Sequence, residues 1–222
     1  MNVLHVCANP KPTEESVSKQ LAAAFFGKLI ELRPDVELVN VDLYDEKPPF
    51  YSYELYRAVW NPVTQEGYER SKVEEMAMNY ASKQAELFNN ADVLVLTMPM
   101  WNFSSPAAMK AWIDQILCPG LTFEITEDGI KPLHKIKSVV LLVASGNTYK
   151  EGDTRDALSR QITTSFEFIG VEDFEIVWAE GQSPMNLTAG ESKALAIEAA
   201  GEIAEDIAEL EVTPSAEEVP AE

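Results

Sequence analysis

The sequence predicts an α/β protein: a three-layer sandwich in which a five-stranded parallel sheet, in strand order 2-1-3-4-5, carries helices on both faces. Two observations predict it. Five short apolar runs, around Val3, Val36, Ala91, Val139 and Phe174, alternate with longer stretches whose apolar residues recur every three or four positions. The runs are also continuously apolar, as strands covered on both faces must be, and do not alternate in the manner of half-exposed ones.

Val3–Ala8 reads as the first strand, and the turn chemistry of "NPKPTEES" follows it. Val17, Leu21, Phe25, Leu29 and Leu32 then recur at helical spacing until Pro34 ends the first helix. "VELVNVDLYD" is the second strand. Residues 46–70, rich in proline and aromatics, are expected to be irregular: a lid, a binding loop or a local excursion. Residues 71–90 form a helix and "ADVLVLTMP" the third strand. In "SSPAAMKAWIDQIL" Ser105 suits the N-cap and Pro106 the first turn, with Met109, Trp112, Ile113, Ile116 and Leu117 as the buried stripe. "KSVVLLVASGN" is the fourth strand, 154–169 a helix ending at Gly170, "DFEIVWAEG" the fifth strand, and 190–210 the last helix. There is no internal repeat. Residues 1–210 make one domain, and 211–222, acidic and without apolar periodicity, are expected to be a disordered tail.

Composition narrows the function. A net charge of -20 argues against nucleic acid and anionic membranes as partners. No apolar run approaches the ~20 residues of a membrane helix, and "MNVLHVCANP" reads as a strand rather than an export signal. A cytoplasmic protein is expected. In a reducing compartment the two cysteines, Cys7 and Cys118, are expected to be buried structural residues. His5 and His134 stand in no metal-binding spacing and are likewise expected to be structural.

In a sheet of this order, ligands bind beyond the carboxyl ends of the strands, where strand order reverses between strands one and three. That fixes three loops before any motif is named. The loop after strand one offers Asn9, Thr13, Ser16 and Ser18 leading into a helix; free amides and hydroxyls there form a phosphate cradle, or a plain N-cap. After strand three, Pro99, Met100, Trp101, Asn102 and Phe103 either flank a flat aromatic ligand or pack under the 46–70 segment. After strand four, Ser145, Gly146 and Asn147 either let a ligand approach the backbone closely or make an ordinary turn. The three loops meet at one end of one sheet, and together they suit a flavin mononucleotide, with phosphate at the first helix and ring between the other two loops.

These residues resemble a known family. "PMWNFSSPAAMKAWIDQIL" followed by "PGLTFEITEDGIKPL" is similar to the pattern P-M-Y-N-F, helix, G-x-T-F-x-Y-T-x-x-G-P of the FMN-dependent NADH azoreductases, a branch of the flavodoxin-like quinone reductases. Ser16-Val17-Ser18 matches the family's S-x-S loop, with Asn9 where a serine is usual; Trp101 replaces a tyrosine; "ASGNTY" stands where the family has S-R-G-G. The resemblance implies a flavodoxin-like fold, bound FMN, NADH or NADPH as donor, a quinone or azo compound as acceptor, and a homodimer. It implies no catalytic protein nucleophile, since the flavin N5 carries the hydride. Phe123 is expected to line the substrate pocket or to be a core aromatic, and Tyr149 is a candidate pocket residue and proton donor. Two rivals keep the fold: an electron carrier serving a protein partner, which the acidic surface suits, and a non-catalytic nucleotide-binding module.

Overall fold

β3 (Val93–Pro99) and β6 (Ser138–Ala144) are buried along almost their whole length, so the unbroken apolar runs of the sequence reflect two covered faces. They form the centre of the sheet in the computed structural model, which describes residues 1–150 and 152–212. Around them lie β1 (Asn2–Cys7), α1 (Val17–Leu32), β2 (Glu37–Asp42), α2 (Tyr53–Thr64), α3 (Lys72–Asn90), α4 (Ala107–Ile116), the hairpin β4 (Phe123–Thr126) and β5 (Gly129–Pro132), α5 (Ala157–Glu167), β7 (Asp173–Ala179) and α6 (Ala189–Glu209). The sheet order is β2-β1-β3-β6-β7, all parallel, which is 2-1-3-4-5 when only these five strands are counted.

Alternate residues of each strand feed opposite cores. Leu4, Val6, Leu94, Leu96, Val139 and Leu141 pack with Phe88 of α3, Trp112 of α4 and Phe166 of α5. Val3, Val93, Val95, Val140 and Leu142 pack with Leu21 and Phe25 of α1 and Ala196 and Ala200 of α6. The small residues of α6 let it lie close to α1. Among the described residues no helix is long and apolar enough to cross a membrane. The expected acidic tail, from residue 213 onward, lies outside the described residues.

Residues 46–70 are not irregular throughout, as expected, but contain α2. Ser52 caps it, its hydroxyl accepting from Leu55 N–H at 3.1 Å, and Leu55, Ala58 and Val59 turn one buried face toward Met78 and Ala81 of α3 and Cys118. Pro62 hides this helix from a sequence reading, because an internal proline cannot bond the carbonyl four residues back. Here that carbonyl, on Ala58, accepts instead from Arg70 Nε at 2.7 Å. The guanidinium repairs the break and fastens the following loop to the helix. The β4–β5 hairpin was also not anticipated. Its signal was the alternation of Phe123, Ile125 and Ile130 about an Asp128-Gly129 pair, with Gly129 at φ 121°.

The expected cap of α4 is displaced by one residue. Pro106 takes the N-cap position, extended at φ -56° and ψ 147°, and no side chain caps the helix. Ser105 is free for another use, described below. The remaining single-residue expectations concern packing. Cys7 and Cys118 are buried free thiols, and burial pushes each up to about 11. His5 is held between Asn40 Oδ1 (2.8 Å) and Thr97 Oγ1 (2.9 Å), and His134 between Ile169 O (3.0 Å) and Ile136 N (3.2 Å). Burial lowers the pKa of both rings, keeping them neutral.

Candidate functional site

β1 has neighbours on both sides, and its chain leaves toward β2 while β3 lies on the other flank; a crevice opens where the two crossovers part. It holds a cavity of about 300 Å³. Of the residues singled out from sequence, Asn9, Ser16, Val17, Ser18, Pro99, Met100, Trp101, Ser145 and Gly146 line it together. The structure adds Lys11, Glu15, Ala144 and Gln182.

The α1 end is a polar cradle. Ser16 is the helix N-cap, its Oγ accepting from Lys19 N–H at 3.2 Å. Asn9 Nδ2 donates to Ser16 Oγ at 2.7 Å and to Ser18 Oγ at 3.1 Å, while Asn9 Oδ1 accepts from Lys11 N–H at 3.1 Å, which fixes the orientation of the amide. All three side chains are buried. With Asn9 donating, both serine oxygens are satisfied as acceptors; the two Oγ atoms also share a hydrogen bond at 3.3 Å, which engages one O–H and leaves the other to donate, as an anion requires. The first-turn amides of Val17 and Ser18 have no carbonyl four residues back within the helix and add the positive end of its dipole. Lys11 brings a cation to the same wall, and Glu15 a carboxylate.

At the other end, Trp101 and Ser104 exchange two backbone hydrogen bonds, N–H to O of 3.0 and 3.1 Å. The two residues between them, Asn102 and Phe103, have φ of 50° and 69°, so the turn is of the I′ type. Asparagine tolerates that conformation; phenylalanine stores strain in it, of a kind that collects at functional sites. Trp101 and Phe103 are 40% and 48% exposed, as the ring-platform reading requires. Met100 is not: it was expected in reach of water but is buried in the core beside Met98, because the strand pleat continues past β3 and sends residues 98 and 100 to the same side. Its N–H donates to Ala144 O at 2.8 Å, which joins this loop to the next.

That third loop is knitted by Ser145. Its Oγ donates to Asn147 O at 2.7 Å and accepts from Trp178 Nε1 at 2.8 Å. Asn147 O also accepts from Gly181 N–H at 3.2 Å, and Gln182 N–H donates to Ser145 O at 2.8 Å, so the loop after β7 braces the loop after β6. Gly146 stands clear: a Cβ there would meet nothing within 4 Å, and the residue forms part of the cavity wall.

Asn102, Phe103, Asn147, Phe123 and Tyr149 are not on the cavity lining. Asn102 and Phe103 project from the turn at its rim. Phe123 is buried in the core, edge-on to Phe168 at 5.4 Å. Tyr149 stacks on Trp178 at 5.6 Å under the Arg155 guanidinium, and its N–H donates to Glu180 Oε1 at 2.6 Å.

Residues 1–203 match a family model described as having a flavodoxin-like fold. The FMN-dependent NADH:quinone oxidoreductase of Brevibacillus brevis is 33% identical over 205 residues, 91% of this chain and 98% of that one. The chain belongs to the flavodoxin-like family of FMN-dependent NADH:quinone oxidoreductases and azoreductases. Another family member, from Coprothermobacter proteolyticus, is 33% identical over 180 residues, 80% of this chain and 85% of its own. Among solved structures, azoreductase AzrA superposes with a TM-score of 0.84 at 30% identity, covering 93% of this chain and all of that one. An FMN-dependent NADH-azoreductase from Bacillus anthracis, solved in complex with FMN, superposes with 0.80 at 26% identity, covering 93% and 99%.

Proposed function

We propose that this member of the family binds FMN in the crevice and passes a hydride from NADH or NADPH to a quinone or an azo compound, donor and acceptor using the same place in turn. The observation that carries the reading is the meeting, in one cavity, of a buried hydroxyl-and-amide cradle with an exposed aromatic turn and a bare glycine wall. The donor set fits the cofactor. Asn9 orients Ser16 and Ser18 so that the remaining O–H, the first-turn amides of α1 and the Lys11 ammonium meet the phosphate. Trp101 and Phe103 offer faces to the flat ring, and open space over Gly146 admits its edge to within backbone reach.

Bound FMN supplies hydride acceptance and donation at its N5. The chain binds, orients and shields it. With FMN held here, the amides of Gly146 and Asn147 would supply fixed dipoles to stabilise negative charge on the ring without reorganising. No side chain is assigned as nucleophile. Tyr149, held by Trp178 and Arg155, is close in sequence to this wall but engaged in packing, so the proton that the reduced acceptor takes up is assigned to solvent. We assign a homodimer, as the family resemblance implies; the exposed Phe50, Tyr53 and Tyr56 give a second copy apolar surface to cover.

Mixing the FMN-loaded protein with NADH or NADPH without oxygen tests this. The visible flavin band is expected to bleach with at least one nicotinamide and to return when a quinone is added. A protein that stays yellow in excess of both nicotinamides is an electron carrier instead. One that takes up no FMN is a non-catalytic module.

The strained turn permits a further test. Phe103→Gly creates the Asn-Gly pair that I′ turns favour. It removes a left-handed side-chain residue, at a cost of roughly 1–2 kcal/mol in the wild type, against roughly 0.5–1 kcal/mol of added chain entropy. The thermal midpoint is expected to hold or to rise by up to about 4 °C. FMN affinity is expected to fall roughly tenfold through loss of an aromatic contact. A lower midpoint with unchanged affinity contradicts both halves of the argument.

A further inference from the structure

We propose that Gln161 of α5 is a positioning residue that holds the Trp101–Ser104 turn in the shape it offers to the cofactor ring; the inference rests on the reading above that the ring lies on this turn. Three consecutive residues of the turn are tied to one face of one helix. Phe103 O accepts from Ala157 N–H at 3.0 Å. One helical turn on, Gln161 Oε1 accepts from Ser104 Oγ at 3.1 Å and from Ser105 Oγ at 2.9 Å. Residues four apart share a helix face, so α5 presents an N–H and an amide oxygen side by side to the chain leaving the turn.

Two features indicate that the amide is present for these bonds and not for packing. The first is its cost. Gln161 Nε2 is buried and has no hydrogen-bond partner among the described residues. Methionine would fill the same space without leaving a buried donor unsatisfied. The second is the use made of Ser105. A serine just ahead of a helix ordinarily caps it, yet α4 begins after Pro106 with no side-chain cap, and the Ser105 hydroxyl is turned to Gln161 instead. α4 goes without a side-chain cap and Gln161 leaves a buried donor unsatisfied so that the turn is fastened. The turn needs such fastening because Phe103 sits at φ 69°, a conformation it leaves unless the surroundings hold it there. Trp101 and Phe103, half in water, have little packing of their own to keep them facing one way.

Amide hydrogen exchange on the full chain without FMN tests the clamp. In Gln161→Met the Trp101 and Ser104 amides, which close the turn, are expected to exchange at least tenfold faster, with β3 amides such as Leu94 and Leu96 unchanged. Gln161→Glu keeps an acceptor oxygen for both hydroxyls and is expected to restore slow exchange. Once FMN is added, Gln161→Met is expected to bind it roughly tenfold more weakly and to alter the visible circular dichroism of the bound flavin; in a Ser104→Ala, Ser105→Ala background the same change is expected to do neither, since the partners are already gone. Should Gln161→Met fail to fold, the Ser104→Ala, Ser105→Ala variant is expected to reproduce the faster exchange by itself. Turn amides that exchange no faster in either variant overturn the clamp. Faster exchange with unchanged flavin affinity and dichroism overturns the positioning role. A wild-type chain that takes up no FMN overturns the function proposed above, while the exchange measurements still decide whether Gln161 holds the turn.

Discussion

Ser16→Asp is expected to abolish FMN retention through purification while leaving the fold intact. The fold is spared because aspartate is as good an N-cap as serine: its carboxylate accepts from Lys19 N–H as the hydroxyl does, and its charge suits the positive end of α1. The phosphate is not spared, for two reasons. Aspartate has no O–H to donate, so the hydroxyl that served the phosphate is lost, while Asn9 Nδ2, 2.7 Å from Ser16 Oγ, stays committed to residue 16. The introduced oxygens also place a like charge at contact distance, which at an effective dielectric of about 20 costs about 4 kcal/mol per unit charge at 4 Å, or roughly a thousandfold in affinity. Lys11, the one cation on the lining among the described residues, is offset by Glu15 on the same wall and cannot absorb this. Titration with FMN measures the loss, and circular dichroism with thermal melting checks the fold. Riboflavin, which has the ring but not the phosphate, is the control: its affinity is expected to change little. Unchanged FMN affinity would remove the phosphate from this loop, and with it the proposed site.

Much of the fold was legible because its signals are local and redundant. The five strands show as apolar runs since each is buried on both faces, and the alternation with helices fixes parallel pairing. α2 was missed because its continuity depends on Arg70, eight residues beyond Pro62, reaching back to a carbonyl that the proline leaves unbonded. No window of sequence centred on the proline contains that compensation. The candidate site divides in the same way. Pro99 ends β3, Trp101, Ser145 and Gly146 stand within two residues of strand ends, and Ser16 and Ser18 open the helix after β1, so topology alone brings them together. Gln182 was missed although it too follows a strand end, that of β7; the same topological rule would have found it. Met100 lines the cavity as its place after β3 predicts, and period-two alternation from Met98 shows that its side chain turns inward. Lys11 and Glu15 belong to the wall through the path of a loop, and Gln161 reaches the turn behind it through contacts across 57 and 56 residues of sequence. Neither leaves a trace in composition or periodicity.

Gly146→Val probes the opposite end of the cavity and is expected to cost flavin affinity, though less of it, for as little stability. The glycine is not in the left-handed region, so a side chain imposes no backbone strain, and its Cβ would meet no protein atom within 4 Å. An exposed substitution of this kind changes stability by no more than about 0.5 kcal/mol. The space it fills, however, is the approach to the backbone donors of Gly146 and Asn147. A bulky wall there forces the ring away from both, and crowding a fitted contact costs roughly 1–3 kcal/mol, about ten- to a hundredfold in affinity. Here the loss should be the same for riboflavin as for FMN, because the obstruction meets the ring they share. The two substitutions therefore read the two ends of one molecule: Ser16→Asp separates the two flavins, and Gly146→Val does not. Gly146→Ala, with one carbon in place of three, should lie between wild type and valine. If the valine protein binds both flavins as wild type does, the ring does not lie against this wall, and the amides of residues 146 and 147 lose the part assigned to them in stabilising its reduced charge.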